Sequence, residues 1–117
     1  MVFKHLKGVR GDCTFKQTQP FQTLPKEGPY YSMDLSAATD RFPVAFQKLV
    51  VEKLTGRRDY AEAWERIMVK EPFSYKGSTY TYSVGQPMGL YSSWAIFALS
   101  HHIIVRIAAN RANLGFG

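Results

Sequence analysis

The stretch YSMDLSAATDRFP, residues 31–43, decides how the rest of the chain is read, because it sets Asp34 and Asp40 on either side of a strand-to-helix junction. PYYSMDL (29–35) has the aromatic and apolar content of a strand ending at Asp34, and SAAT (36–39) is a small-residue turn. Asp34 would sit at the mouth of that strand and Asp40 just beyond the turn, so both carboxylates can face one pocket. Carboxylate oxygens in such a place suit Mg²⁺, which keeps several waters and is usually shared with substrate phosphates. The same residues also have a plainer use, with Asp34 closing a turn and Asp40 helping to cap the next helix. Taken alone, the spacing favours the plainer use.

Downstream, Pro43 suits the first turn of a helix in which Phe46, Val50 and Leu54 fall on one stripe and Gly56 forms the C-terminal cap. Asp59 and Glu62 have capping-box spacing for a second helix, with Tyr60, Trp64, Ile67 and Met68 as its apolar face and Glu62 paired with Arg66. FSYKGSTYTYSV (73–84) reads as a hairpin around Lys76-Gly77. From Leu90 to about Asn110 the chain carries no charge before Arg106 and is apolar nearly all round, which calls for burial in a core. Ser92, Ser93, Ser100, His101 and His102 make the same stretch a poor transmembrane span. Residues 1–29 hold Pro20, Pro25 and Pro29 with Gly8, Gly11 and Gly28, and read mostly as loop.

At 117 residues the chain is long enough for one domain and too short for a multi-domain enzyme. An apolar content of 45% argues against disorder, since it supplies enough hydrophobic surface to offset ordering entropy. The single Cys13 excludes an internal disulfide or a cysteine-cluster zinc site and reads as a reduced thiol in an intracellular compartment. MVFKHLKGVRGD lacks the apolar core of a secretory signal. The net charge of +6 is divided between the two ends: residues 1–33 carry +3, residues 34–71 balance, and residues 72–117 carry Lys76, Arg106 and Arg111 without a carboxylate. Such a balance is compatible with RNA or an anionic surface, and gives affinity without identity.

SVGQPMGLYSS (83–93) sets Gly85 and Gly89 around Pro87 between the hairpin and the last helix. Its backbone amides, with Ser92 and Ser93 in the first helical turn, could hold a phosphate or a ribose hydroxyl; alternatively the segment is a turn before an N-capped helix. His101 and His102 are adjacent on a helix and point about 100° apart, so they read as partly buried polar residues and not as a shared metal site.

Together, DLSAATDRFP resembles motif A, and GQPMGLYSSWAIFALSHH resembles motif B, of the RNA-dependent RNA polymerases of mitoviruses. GDCTFKQ (11–17) is similar to the DGTF segment that precedes motif A, with Cys13 where the family usually has glycine. The resemblance covers residues 11–107. It implies an α+β fold, a partial palm and fingers region of one central strand, a hairpin and about three helices. The organisation expected is an irregular basic segment at 1–29, the palm and fingers portion at 30–112, with motif A at 31–43 and motif B at 83–102, and a tail at 113–117.

By the same resemblance Asp34 is the metal-binding aspartate of motif A, Asp40 helps recognise the incoming ribose, and Gly85, Gly89, Ser92 and Ser93 contact template and nascent base pair. The family uses Mg²⁺. Two-metal phosphoryl transfer needs carboxylates from more than one strand to hold ions about 4 Å apart. In the family the second source is the Gly-Asp-Asp motif C, and no Asp or Glu follows Glu71 here. The expectation is therefore half of a metal site in a truncated segment, captured into a plant mitochondrial or nuclear genome. It would lie in mitochondria, catalyse nothing alone, and use no functional metal or small-molecule cofactor. Two other classes stay open. One is an RNA-binding module using Lys76, Arg106, Tyr75, Tyr80 and Tyr82, and the other a membrane or helix-interaction protein built on residues 90–108.

Overall fold

The computed structural model describes residues 1–114; the end of the expected 113–117 tail lies outside the described residues. Two short helices, α1 (Val2–Leu6) and α2 (Gln19–Thr23), fall in the segment expected to be mostly loop. They are followed by a one-turn α3 (Ala38–Arg41), α4 (Val44–Thr55), α5 (Arg58–Glu65) running into a π-helical turn (Arg66–Lys70), the hairpin β1 (Phe73–Tyr75) and β2 (Ser78–Tyr80), and the long α6 (Ser93–Arg111). This is a mixture of helices with one small antiparallel sheet, compatible with α+β.

The hairpin forms where the sequence places it. Phe73 faces Tyr80 and Tyr75 faces Ser78, and the turn takes φ of 47° at Lys76 and 78° at Gly77, the two left-handed positions that let a two-residue turn follow the strand twist. α4 starts directly after Pro43 and ends at Gly56 in the left-handed conformation, whose amide bonds to Glu52 O.

The expected central strand does not form. Residues 29–35 are exposed and belong to no sheet, and β1 and β2 are the only strands among the described residues. A strand is completed by a neighbour that takes up its amides and carbonyls, and none of the described residues offers 29–35 such a neighbour. The capping box at α5 is also absent, because the helix starts at Arg58 with Arg57 as its N-cap, which puts Asp59 inside the first turn, and both acids pair with arginines. Arg57 grips Asp59 at 3.2 and 2.6 Å, and Arg58 takes Glu62 at 3.0 Å, leaving Arg66 to Glu71 at 3.2 Å instead of to Glu62. The hydrogen bond from Arg57 lowers the Asp59 carboxyl pKa and, reciprocally, raises that of Arg57.

Three small clusters make the core. Leu6, Val50, Ala95 and Leu99 join α1, α4 and α6, with Phe46 and Leu54 of the predicted stripe packed against them. Val51, Ala61 and Ile96 join α4, α5 and α6. Val44, Met68 and Val69 bring the π turn under α4. The wider turn changes which residues face inward, so Met68 and Val69 are buried while Ile67, counted on the apolar stripe, is left exposed.

α6 divides in two. Ala95, Ile96, Phe97, Leu99 and Ser100 are buried, whereas Ile104, Val105 and Ile107 are exposed, so the complete burial expected of this helix stops about halfway. No helix among the described residues is long and apolar enough to cross a membrane.

Candidate functional site

The best-built contact between the two motifs joins the turn after residue 36 to the loop before α6. Ala37 holds φ 49°, ψ 47°, a left-handed conformation that is costly for a residue with a Cβ, and this lets the chain turn sharply into α3. The turn presents Thr39 O, which accepts from the Gln86 amide at 2.9 Å, and a few residues on the Val44 amide donates to Val84 O at 2.8 Å. Gly85 lies between these two hydrogen bonds. A Cβ there would overlap the Thr39 and Asp40 carbonyl groups, so the absence of a side chain is what allows the two backbones to touch.

Gln86 extends the junction inward. Its fully buried amide nitrogen donates to Gln47 Oε1 of α4 and to Ser93 O at the start of α6 at 3.1 Å, while Gln47 Nε2 donates to Phe42 O at 3.2 Å. One pair of glutamines thereby ties α4, the loop that carries Gln86 and the start of α6 together. Neither was among the candidate residues. The clue available in sequence was a polar residue, Gln47, beside the apolar stripe of α4.

Asp40 stands exposed on α3 facing the Tyr82 phenol. Burial, then the Asp40 charge and a hydrogen bond to it, raise the Tyr82 pKa. Ser92 Oγ accepts from Trp64 Nε1 at 3.0 Å and lies 3.8 Å from Met68 Sδ, which pins α6 to α5. Ser93 Oγ is buried without a partner. Gly89 is exposed and needs its glycine for a φ of 100°. The chain thus brings Asp40, Gly85 and Ser93 to one junction. Asp34 stays outside it, on the exposed irregular segment.

That placement bears on Mg²⁺. Among the described residues no group of three or more His, Cys, Asp or Glu side chains is arranged to hold a metal ion. An exposed Asp34, with Asp40 turned to Tyr82, does not supply the converging carboxylates that a pair of ions requires, so the residues present do not fit the metal centre.

His101 and His102 are partly buried, as read from the sequence, but His102 has a partner no local pattern announces. Its Nε2 lies 3.1 Å from Oδ1 of Asp12, whose carboxylate also accepts from the Thr14 amide at 3.1 Å and hydroxyl at 3.0 Å. This clamps the 11–17 segment onto α6.

The family model for the mitovirus RNA-dependent RNA polymerase matches residues 1–116, somewhat more than the motifs alone cover. The chain is 42% identical to the RNA-directed RNA polymerase of Cryphonectria parasitica mitovirus 1, a match covering 98% of this chain and 14% of that protein. Two uncharacterized mitochondrial proteins of Arabidopsis thaliana are 40% and 38% identical, over 92% and 89% of this chain. The chain spans 45% and 54% of their lengths, and so about half of each plant relative and a small part of the viral one. No solved structure matches it. With the family model spanning nearly the whole chain, the chain belongs to the mitovirus RNA-dependent RNA polymerase family.

Proposed function

We propose that this chain is a segment of a mitovirus-type polymerase that holds motifs A and B in mutual register and does not transfer nucleotides by itself. In a complete polymerase Asp34 would contribute to the metal centre, Asp40 would meet the incoming ribose, and Gly85, Gly89, Ser92 and Ser93 would face template and nascent pair. The observation that carries the reading is the contrast between a packed Thr39–Gln86 junction and an unpaired Asp34 segment. The similarity to plant mitochondrial proteins supports an origin by capture into a plant mitochondrial or nuclear genome, and a product that resides in mitochondria. Primed, template-dependent incorporation assays with Mg²⁺ test it. The purified chain is expected to give no product above that of Asp34→Ala, and incorporation that Asp34→Ala abolishes would refute the reading. Targeted mass spectrometry of purified mitochondria for its tryptic peptides tests the location.

A second reading, RNA binding without catalysis, is favoured by the hairpin. Tyr75 and Tyr80 are exposed, and Lys76 Nζ lies 5.2 Å from the Tyr75 ring centroid, which joins a cation to an aromatic surface suited to backbone contact and base stacking. RNA affinity should fall with added salt and on Lys76→Ala. A flat titration at low salt would remove this reading.

A further inference from the structure

A cleft of about 400 Å³ opens between the 11–17 segment and α6, and neither Asp40 nor Gly85 lines it. One wall is aromatic. Trp94, Phe97 and His101 recur at helical spacing, with Trp94 and Phe97 ring centroids 5.9 Å apart and Phe97 stacked on His101 at 6.2 Å. Phe97 is buried, but Trp94 is 54% exposed, leaving a large flat surface open to solvent at the cleft. The facing wall is polar, with Thr14 and Gln17 on its rim.

The Asp12–His102 contact fixes the distance between the walls. The Asp12 side chain is 4% exposed, so this is a built feature of the interior, held by three hydrogen bonds. It does not make a metal centre, since no group of three metal-ligating side chains forms among the described residues. The 11–17 segment that supplies the polar wall balances Lys16 against Asp12, and the chain just before it, residues 1–10, carries Lys4, Lys7 and Arg10 with no carboxylate.

We propose that this cleft receives an unpaired nucleobase of single-stranded RNA. The base would stack on Trp94, Thr14 and Gln17 would meet its polar edge, and the basic residues of 1–17 would meet the flanking phosphates. The assignment rests on the RNA-binding reading and gives it a site distinct from the hairpin. A flat aromatic surface takes any base through its π-face, while polar groups at the edge and a basic surround suit a nucleotide better than an apolar side chain.

The test is an anisotropy titration of the full chain with a short unstructured RNA and with an abasic strand of the same length. Wild type is expected to bind the base-bearing strand roughly tenfold more tightly than the abasic one. Trp94→Leu should lose most of that preference, keeping only what the hairpin tyrosines supply, and Trp94→Phe should recover most of it, which a loss of folding would not permit. Retention of the full preference by Trp94→Leu would overturn the cleft and leave RNA binding intact. Equal binding of both strands by wild type would do the same, reducing the interaction to phosphate contact. Binding to neither strand would remove the site and the RNA reading together. Adenosine monophosphate competing as well as the oligonucleotide would make the ligand a free nucleotide and overturn the assignment to a strand.

Discussion

At the scale of single residues, three positions carry the junction between the motifs. Gly85→Ala would push a methyl group into the Thr39 and Asp40 carbonyl groups and strain both flanking hydrogen bonds, and it should cost about 2–3 kcal/mol in denaturant unfolding. Ala37→Gly should act in the opposite direction. It relieves a left-handed φ of 49° at a residue with a Cβ, and about 1 kcal/mol of stabilisation is expected from the same measurement. Tyr82 gives a pH signature. Its folded pKa is raised above the ordinary 10 by burial and by Asp40, so the neutral phenol is favoured in the folded chain. Its contribution is fully present below pH 10 and is lost as the pH rises through the folded pKa. Tyr82→Phe should flatten that part of the alkaline decline, and an unchanged difference between the two chains above pH 10 would contradict it.

At the scale of elements, the glutamine pair couples α4 to the loop before α6. Gln86→Leu leaves Gln47 Oε1 buried without a donor and should cost about 1–3 kcal/mol. The double substitution Gln47→Leu with Gln86→Leu should cost less than the sum of the singles, because neither glutamine side chain is then left facing a missing partner. Strict additivity in a thermal-melt cycle would show that the two side chains do not interact. Which elements were legible in sequence follows from how local their causes are. The hairpin rests on Lys76-Gly77, and α4 on Pro43 and Gly56, so neighbouring residues sufficed. The strand at 29–35 failed because pairing depends on a partner strand that no local pattern can supply. The capping box at Asp59 failed because the helix begins ahead of it, at Arg58, and the stripe through Ile67 failed because a π turn alters the helical period. The Asp12–His102 contact joins residues ninety positions apart, and neither side bears a local signal of the other. The family was readable from the sequence, but the arrangement of Asp34 and Asp40 was not, since it depends on that same missing pairing.

At the scale of the whole molecule, the chain exposes more than its size calls for. Its accessible surface is 9203 Å², against roughly 6,500 Å² for a folded chain of this mass. The radius of gyration is 16.4 Å, against about 13 Å for a compact chain of this length. The surplus exceeds the total of about 1,200–2,000 Å² buried in a typical stable interface. Tyr31, Met33 and Leu35 beside Asp34, and Ile104, Val105 and Ile107 on α6, are among the apolar side chains left in water. A surface of this kind calls for a covering partner, and the purified chain should self-associate as its concentration rises in sedimentation velocity. A single species with one cooperative unfolding transition across the same range would contradict this.

The most direct measurement of the central claim, that motifs A and B are locked together while the Asp34 segment stands unpaired, is amide hydrogen exchange resolved by residue. The amides of Gln86 and Val44, which donate to Thr39 and Val84, should be protected, while those of residues 30–35 should exchange at nearly the rate of unfolded chain. Protection across 30–35 would mean that the strand is paired and the metal half-site is built. Unprotected Gln86 and Val44 would mean that the junction does not hold, and either result would contradict the account.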